Sequence, residues 1–315
     1  MPPDEQLFGN FWVMVPVSRA LFCRRKRGIP NNIFGKFRLN PFCLAKKGGD
    51  PLKKAAVLSL FLFLFCFFAG EVVAVARSIH WGLKRAENGI PPQAGKELDA
   101  LLEKYGAFYK GSGQSKIIYL TFDNGYENGY TGEILDVLKK EKVPAAFFVT
   151  GHYLRSAPQL VKRMAEEGHI IGNHSWSHPD FTTLSDEEIR KELELVRKKV
   201  LELTGRKDML FLRPPRGIFN ERTLKVANEA GYIHVFWSLA YVDWNIHQQR
   251  GTDYAYRKIM EQIHPGAVLL LHSVSRDNAR ALESVIRNLK KAGYEFRTLN
   301  DLLLERQLGK QPFFY

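Results

Sequence analysis

The chain has 315 residues and a formal net charge of +13, and 45% of its residues are hydrophobic. That length accommodates one large domain or two small ones with a sizeable core. Residues 1–54 hold 11 Lys and Arg against 3 Asp and Glu, so +8 of the net charge lies there. The remaining residues mix both signs without a basic stripe of interleaved aromatics, which argues against nucleic-acid binding. A mildly basic body instead suits an anionic polymer such as a cell wall.

All three cysteines, Cys23, Cys43 and Cys66, precede residue 67. The body of the chain therefore has no disulfide and no thiolate metal site. Any metal bound there must be held by His, Asp, Glu or Asn side chains.

A short apolar segment, residues 55–70, follows the basic leader formed by residues 1–54. Its sixteen residues fall short of the roughly 20 that cross a bilayer core comfortably. Lys53-Lys54 before it and Ala74-Val75-Ala76 after it indicate a secretory signal over residues 55–76, with a small-x-small cleavage site. An uncleaved membrane anchor is the alternative. In both cases we expect the body of the chain to lie outside the cytoplasm.

Residues 77–114 form a polar lead-in, and residues 115–306 form the main predicted domain. In this domain short apolar runs alternate with segments of helical periodicity. Ser185 and Glu188 form a capping box that begins the longest predicted helix. The predicted strands are 117–122, 145–150, 170–171, 210–212, 233–239, 267–271 and 294–299. The predicted helices are 131–142, 158–167, 186–203, 220–230, 254–263, 278–291 and 301–306.

This alternation predicts an α/β fold with a parallel sheet. Several strands are continuously apolar, as strands covered on both faces are. About seven strands favour a (β/α) barrel, in which chemistry gathers at the C-terminal ends of the strands. A doubly wound open sheet is the alternative, but no Gly-rich phosphate loop follows the first strand.

Polar signatures follow five of the predicted strands. Each has an ordinary structural explanation by itself, such as a turn aspartate, a solvated arginine or a satisfied core histidine. Their joint occurrence at successive strand ends favours a shared site, and the residue types suit metal-assisted hydrolysis. Two histidines four apart are expected on one side of a helical turn, where they can share a metal. The signatures are Asp123-Asn124, His174 with His178, Arg213 with Arg216, Asp243-Trp244, and His272.

These motifs resemble, in order and spacing, those of the polysaccharide deacetylases with a NodB-type domain, carbohydrate esterase family four. The matching strings are TFDNG, HSWSH, RPPRG, DW and LLLH. The longer strings YLTFDNGYENGYT and LLLHSVSRDNA are most similar to the delta-lactam-biosynthetic de-N-acetylases of spore-forming bacteria. The resemblance implies a distorted (β/α) barrel, in agreement with the fold predicted from the strand pattern.

The resemblance also implies roles for individual residues. Asp123 is expected to be the general base, tethered by Arg213. His272 is expected to be the general acid, oriented by Asp243. The backbone N–H near Arg216 is expected to help hold the oxyanion.

The metal set departs from the family pattern at one position. His174 and His178 are the implied ligands of a divalent metal, zinc or another ion. The family has a second aspartate where this chain has Asn124. A neutral amide oxygen attracts a cation less than a carboxylate, so Asn124 is a doubtful third ligand and metal binding is expected to be weak.

The expected substrate contacts are Arg216 and Trp244. Arg216 stands where the family commonly has an aromatic residue, and we hypothesise that it pairs with the lactyl carboxylate of muramic acid.

The sequence thus predicts an exported N-acetylmuramic acid de-N-acetylase acting on peptidoglycan glycan strands. The reaction is expected to lead to the muramic delta-lactam of spore cortex. The alternatives are an N-acetylglucosamine deacetylase of peptidoglycan or chitin-like oligomers, and a catalytically silent wall-binding barrel.

Overall fold

The computed structural model describes residues 77–308. The predicted leader and the apolar signal or anchor segment lie outside the described residues. Over the described range, no helix combines the length and apolarity needed to cross a bilayer.

Strands and helices alternate along the described part of the chain. The strands are β1 (Ile79–His80), β2 (Ile117–Asn124), β3 (Ala146–Val149), β4 (Ile170–Asn173), β5 (Phe211–Leu212), β6 (Ile218–Phe219), β7 (Ile233–His234), β8 (Ala267–His272) and β9 (Glu295–Phe296). The helices are α1 (Lys96–Lys104), α2 (Thr131–Glu141), α3 (Gly151–Ser156), α4 (Pro158–Glu166), α5 (Asp186–Thr204), α6 (Glu221–Glu229), α7 (Thr252–Met260), α8 (Arg276–Lys291) and α9 (Leu299–Leu308).

Seven of the strands form one curled parallel sheet, a half-barrel flanked by helices. Their order is β7, β5, β4, β3, β2 and β8, and β9 pairs with the start of β2. The predicted α/β fold with about seven parallel strands is therefore confirmed. Because every pairing in this sheet is parallel, the carboxyl ends of its strands lie along one edge.

Alternate residues of the long strand β2 face two different apolar clusters. Leu120 and Phe122 pack into the larger cluster, with residues of the surrounding helices. Ile117 and Tyr119 pack into the smaller cluster on the inner side of the half-barrel. Since side chains alternate along a strand, Asp123 falls on the same inner side as Tyr119.

The lead-in residues pack onto this sheet domain. The strand β1 pairs antiparallel with β6, and Trp81 stacks on Phe236 at 4.6 Å between ring centroids. A cavity of about 480 Å³ lies between α1 and α9, and none of the predicted site residues line it.

Most element boundaries agree with the sequence prediction to within a few residues, but several features differ. The short strands β1 and β6 were not predicted. The strand predicted over 233–239 ends at His234, because the following residues leave the ladder for isolated contacts with Phe108 and Leu269. The helix α3 was not predicted, since its six residues are too short to show helical periodicity. The polar lead-in over 77–114, for which no regular element was predicted, contains the helix α1.

Candidate active site

Asp123 and His272 are neighbours because the register of β2 and β8 pairs them directly. Both residues follow largely apolar runs that form buried strands. Because each comes at the end of its strand, both lie at the carboxyl edge of the parallel sheet. Asp123 is buried, with 5% of its surface exposed. A carboxylate this deep requires charged or hydrogen-bonding partners.

Arg213, which follows β5, provides the main partner of Asp123. Its guanidinium is fully buried, and Nη1 lies 2.7 Å from Asp123 Oδ1. Nη2 donates to Thr121 Oγ1 at 2.9 Å, and Nε donates to the carbonyl oxygen of Val235 at 3.0 Å. The flat guanidinium also lies over the ring of Phe148, with 4.3 Å between Cζ and the ring centroid. One side chain thus links three neighbouring segments at the strand ends.

The surroundings of Asp123 keep its carboxyl group ionised. Burial alone would raise its pKa, but nearby positive charge, foremost the guanidinium of Arg213 with its hydrogen bond, outweighs burial and holds the pKa of Asp123 below its ordinary value. An ionised carboxylate at neutral pH can accept a proton.

His174 is a buried neutral imidazole with a fixed tautomer. Its Nδ1 lies 2.8 Å from the carbonyl oxygen of Arg213, and since a carbonyl only accepts, Nδ1 carries the proton. Burial lowers the pKa of His174 against the attraction of Asp123. The unprotonated Nε2 therefore faces Asp123 Oδ2 at 3.5 Å, so two acceptors point at each other.

His178 stands beside His174, with 4.9 Å between ring centroids. The expectation that both rings lie on a turn of helix is wrong, because residues 174–178 form a non-helical loop. Ser175 and His178 both have positive φ angles, 66° and 59°, which reverse the chain and bring the second ring back to the first. Desolvation by the surrounding protein lowers the pKa of His178.

The loop that carries the two histidines packs against Gly151 and hydrogen-bonds to it. Its N–H donates to the carbonyl oxygen of Trp176 at 3.0 Å. A Cβ atom on Gly151 would lie 2.3 Å from Trp176 Cδ2, so only glycine permits this contact. Inside the loop, the N–H of His178 donates to Ser175 Oγ at 2.9 Å.

The two imidazoles fit a divalent cation. Their neutral form is the form that binds metal, and a cation would relieve the opposed lone pairs of His174 Nε2 and Asp123 Oδ2. Within residues 77–308, no three His, Cys, Asp or Glu side chains are grouped closely enough to hold a metal together. The fit therefore rests on two imidazoles rather than on a complete set of charged ligands.

Asn124 is fully buried beside the start of the loop after β8. Its Nδ2 donates to Ser273 Oγ at 2.7 Å. Its Oδ1 is buried without a hydrogen-bond partner among the described residues. A buried acceptor of this kind costs stability unless an unseen donor or cation satisfies it.

The Asp243 carboxylate binds His272 at two points. Asp243 Oδ1 lies 2.7 Å from His272 Nδ1, and Oδ2 accepts from the backbone N–H of His272 at 2.8 Å. Burial opposes protonation of this imidazole, but the charge and hydrogen bond of Asp243 outweigh it and raise the pKa of His272 above its ordinary value. His272 is thus the histidine of the site whose protonated form is favoured, and in that form its Nε2 is the atom able to give up a proton.

Two further predicted residues lie at the rim. The indole of Trp244 is about half exposed, 5.6 Å from the ring of His272. Arg216 adopts a positive φ of 57°, and its exposed guanidinium lies 3.8 Å from Asp180 Oδ2. The next residue, Gly217, also has a positive φ, and a Cβ there would lie 2.7 Å from Trp237.

Sequence reasoning missed several polar neighbours of these groups. Asn278 and Tyr241 support Asp243, and Ser273 supports Asn124. The string LLLHSVSRDNA contains two of them, but side-chain contacts across separate loops leave no periodic pattern in the sequence.

A half-barrel whose strand ends unite a carboxylate, two facing imidazoles and an Asp–His pair has the parts of a hydrolase. Residues 110–235 match the family model described as polysaccharide deacetylase. The chain is 56% identical over 230 residues to the peptidoglycan-N-acetylmuramic acid deacetylase PdaA of Bacillus subtilis, covering 73% of this chain and 88% of that protein. It is 38% identical over 200 residues to the peptidoglycan-N-acetylglucosamine deacetylase PgdA of Listeria monocytogenes, covering 63% of this chain and 41% of that protein.

Solved structures agree with these relatives. The structure of Bacillus subtilis PdaA, a family 4 carbohydrate esterase, matches with a TM-score of 0.72 at 56% identity, covering 73% of this chain and 98% of that one. A family 4 carbohydrate esterase from Bacillus anthracis matches with a TM-score of 0.62 at 51% identity, covering 72% and 96%. The chain belongs to the polysaccharide deacetylase family, carbohydrate esterase family 4, and is a hydrolase of the deacetylase type. Deacetylases of this family are generally metal-dependent.

Replacing Arg213 by Ala should lower the free energy of unfolding by about 3–5 kcal/mol, because it leaves the buried Asp123 carboxylate unpaired. The matched variant Arg216→Ala should change it by less than about 1 kcal/mol, since that guanidinium is exposed and its ion pair is long. Urea unfolding followed by circular dichroism measures both. Equal losses would contradict the assignment of Arg213 as the buried tether.

Proposed function

We propose that this protein hydrolyses the acetamido group of N-acetylmuramic acid in peptidoglycan, outside the cytoplasm. The observation that carries the proposal is its 56% identity to a relative named as an N-acetylmuramic acid deacetylase, together with an exposed arginine at the rim of the site. The relative named for N-acetylglucosamine is less similar, at 38% identity.

In the proposed reaction, Asp123 is the general base. The carboxylate takes a proton from water as the water oxygen attacks the acetyl carbonyl carbon. Arg213 holds one oxygen of Asp123 and keeps the group ionised, which leaves the other oxygen to accept the proton. The backbone N–H near Arg216 is the proposed donor to the oxyanion of the tetrahedral intermediate.

His272 is the proposed general acid. Amide cleavage requires protonation of a poor amine leaving group, and the Asp243-bound imidazolium of His272 supplies that proton from Nε2. The C–N bond then breaks, which releases acetate and leaves a free amine on the sugar. Trp244 is half exposed beside the imidazole of His272. We propose that its indole shields the leaving amine from solvent and packs against the sugar.

The proposed metal site consists of His174 and His178, with Asn124 Oδ1 as a weak neutral third donor. A divalent ion held by these residues would polarise the acetyl carbonyl and make the attacking water more acidic. The carbonyl oxygen of Arg213 fixes the His174 tautomer that leaves Nε2 unprotonated. With one neutral amide in place of a carboxylate, the affinity for the ion is expected to be low.

Arg216 is the proposed specificity residue. Muramic acid differs from glucosamine by a lactyl ether that carries a carboxylate, and a guanidinium can bind a carboxylate through two parallel hydrogen bonds. The guanidinium of Arg216 is exposed, and its ion pair with Asp180 is long, so an incoming acid can pair with it. The nitrogen of the free amine can form an amide bond with the carbon of the lactyl carboxyl group, whose C–O bond breaks with release of water. This is the basis for proposing a role in delta-lactam formation in spore cortex.

Mass spectrometry of glycan strands incubated with the full chain tests the substrate assignment. Muramic acid should lose the mass of an acetyl group, and loss of water as well would indicate cyclisation. Arg216→Ala should lower kcat/KM for the muramic substrate about tenfold or more and leave the glucosamine substrate unchanged.

Three outcomes would contradict the assignment. Deacetylation of glucosamine alone would support the glucosamine alternative. Acetate release from neither sugar by metal-loaded protein would support a silent wall-binding barrel. Equal losses on both sugars for Arg216→Ala would remove its role in specificity.

Dialysis against a chelator should abolish activity, and adding back zinc or another divalent ion should restore it. His178→Ala should weaken binding of the ion by about tenfold or more, as loss of a ligand does, and Asn124→Asp should strengthen it because a carboxylate replaces a neutral oxygen. Calorimetric titration measures both. His80→Ala, an exposed histidine in β1, is the control, and full activity of the metal-free protein would refute the proposal.

The alkaline limb of the pH–kcat/KM profile should report His272. Its pKa is raised by Asp243, and Asp123 and Arg213 are the other charged groups that act on it. Activity that needs the protonated imidazole is present below that pKa and is lost as the pH rises through it. Asp243→Asn removes the stabilising charge, so the alkaline limb should move to lower pH. An unchanged limb in this variant would assign the acid elsewhere.

A further inference from the structure

The carboxylate of Asp243 has a third donor beyond the two from His272. Asn278, in the first turn of α8, donates from Nδ2 to Asp243 Oδ2 at 2.5 Å. Asn278 and Asp243 are both buried, with 1% and 3% of their surfaces exposed. A bond to an ionised acceptor in this setting is stronger than an exposed neutral one.

The amide of Asn278 has only one workable orientation. On the side away from Asp243, its Oδ1 accepts from the hydroxyl of Tyr241. Burial, followed by the charges of Asp243 and Asp277, raises the pKa of Tyr241, so the hydroxyl keeps its proton and acts as the donor. A hydroxyl donor on one side and a carboxylate on the other require the amide NH₂ to face Asp243.

The position of Asn278 on its helix is fixed independently of the amide. Its backbone N–H donates to Ser275 Oγ, the N-cap of α8, at 3.2 Å. Nδ2 also lies 3.3 Å from the carbonyl oxygen of His272. The first turn of α8 is therefore tied to both members of the Asp243–His272 pair.

We propose that Asn278, oriented by Tyr241, is a positioning residue for the proposed acid His272. It holds the plane of the Asp243 carboxylate so that Oδ1 stays bonded to Nδ1–H of His272 and Nε2 faces the leaving amine. The inference rests on the proposed role of His272 in deacetylation. Asn278 and Tyr241 act only through Asp243 and are not catalytic residues themselves.

Loss of Asn278 would leave Asp243 Oδ2 with a single donor, the backbone N–H of His272. The carboxylate could then rotate about its Cβ–Cγ bond, and the His272 ring would lose its fixed direction. Misplacement of a proton donor lowers the rate of the chemical step more than it lowers substrate binding.

The test measures acetate release from acetylated glycan strands by the full metal-loaded chain. Asn278→Ala should lower kcat about tenfold with KM changed less than about twofold. Tyr241→Phe, which removes one oxygen atom, should lower kcat by a smaller factor, about threefold. In an Asp243→Ala background, neither substitution should lower kcat further, because the group they position is absent.

Two matched controls separate positioning from general structure. Asn288→Ala removes a partly buried asparagine of the same helix, whose Nδ2 donates to the carbonyl oxygen of Ser284. Tyr254→Phe removes a hydroxyl from the ring that packs against Tyr241. Both should keep the wild-type kcat.

Two outcomes would overturn the proposal. One is a wild-type kcat for both Asn278→Ala and Tyr241→Phe. The other is a multiplicative loss of kcat in the Asp243→Ala background, which would indicate a structural effect independent of Asp243. If Asp243→Ala itself keeps full activity, the proposed acid role of His272 fails. If Asp243→Ala loses activity and Asn278→Ala does not, only the present inference fails.

Discussion

The buried ion pair between Arg213 and Asp123 is the interaction on which the site depends. Arg213 reaches across the carboxyl edge of the sheet and bonds to groups of β2 and of the segment after β7. Removing a guanidinium from water is costly, and the cost is offset only when each donor finds a partner and the charge is balanced. Arg213 therefore fixes the positions of these strand ends relative to one another. It also keeps the carboxylate of Asp123 ionised between them.

The same edge gives two histidines opposite properties. His174 shares its Nδ1 proton with a carbonyl, and burial keeps its ring neutral. His272 shares its Nδ1 proton with the Asp243 carboxylate, which favours the charged ring. A neutral imidazole suits a metal and a cationic one suits proton donation. The partner of Nδ1 therefore decides which proposed role each histidine can take.

Much of this arrangement could be predicted because its causes are local. The capping box of Ser185 and Glu188 is present and begins α5 where expected. The apolar runs before Asp123 and His272 become buried parallel strands. The non-helical shape of the histidine loop could not be predicted, because positive φ at two non-glycine residues depends on contacts with Gly151 and Trp176. The hydrogen bond from Asn278 to Asp243 could not be predicted either, because it joins a loop to a separate helix.

The sequence by itself determined the order of strands and helices, the family and the identities of the polar residues at the strand ends. Apolar periodicity and capping are short-range properties, so they can be read along the chain. Only the tertiary structure decided which of those polar groups touch, which histidine is neutral and which is charged, and how Asp243 is held. Those outcomes depend on burial, on strand register and on the positions of charges from distant segments. All three are fixed only in the folded half-barrel, where Arg213 links the strand ends.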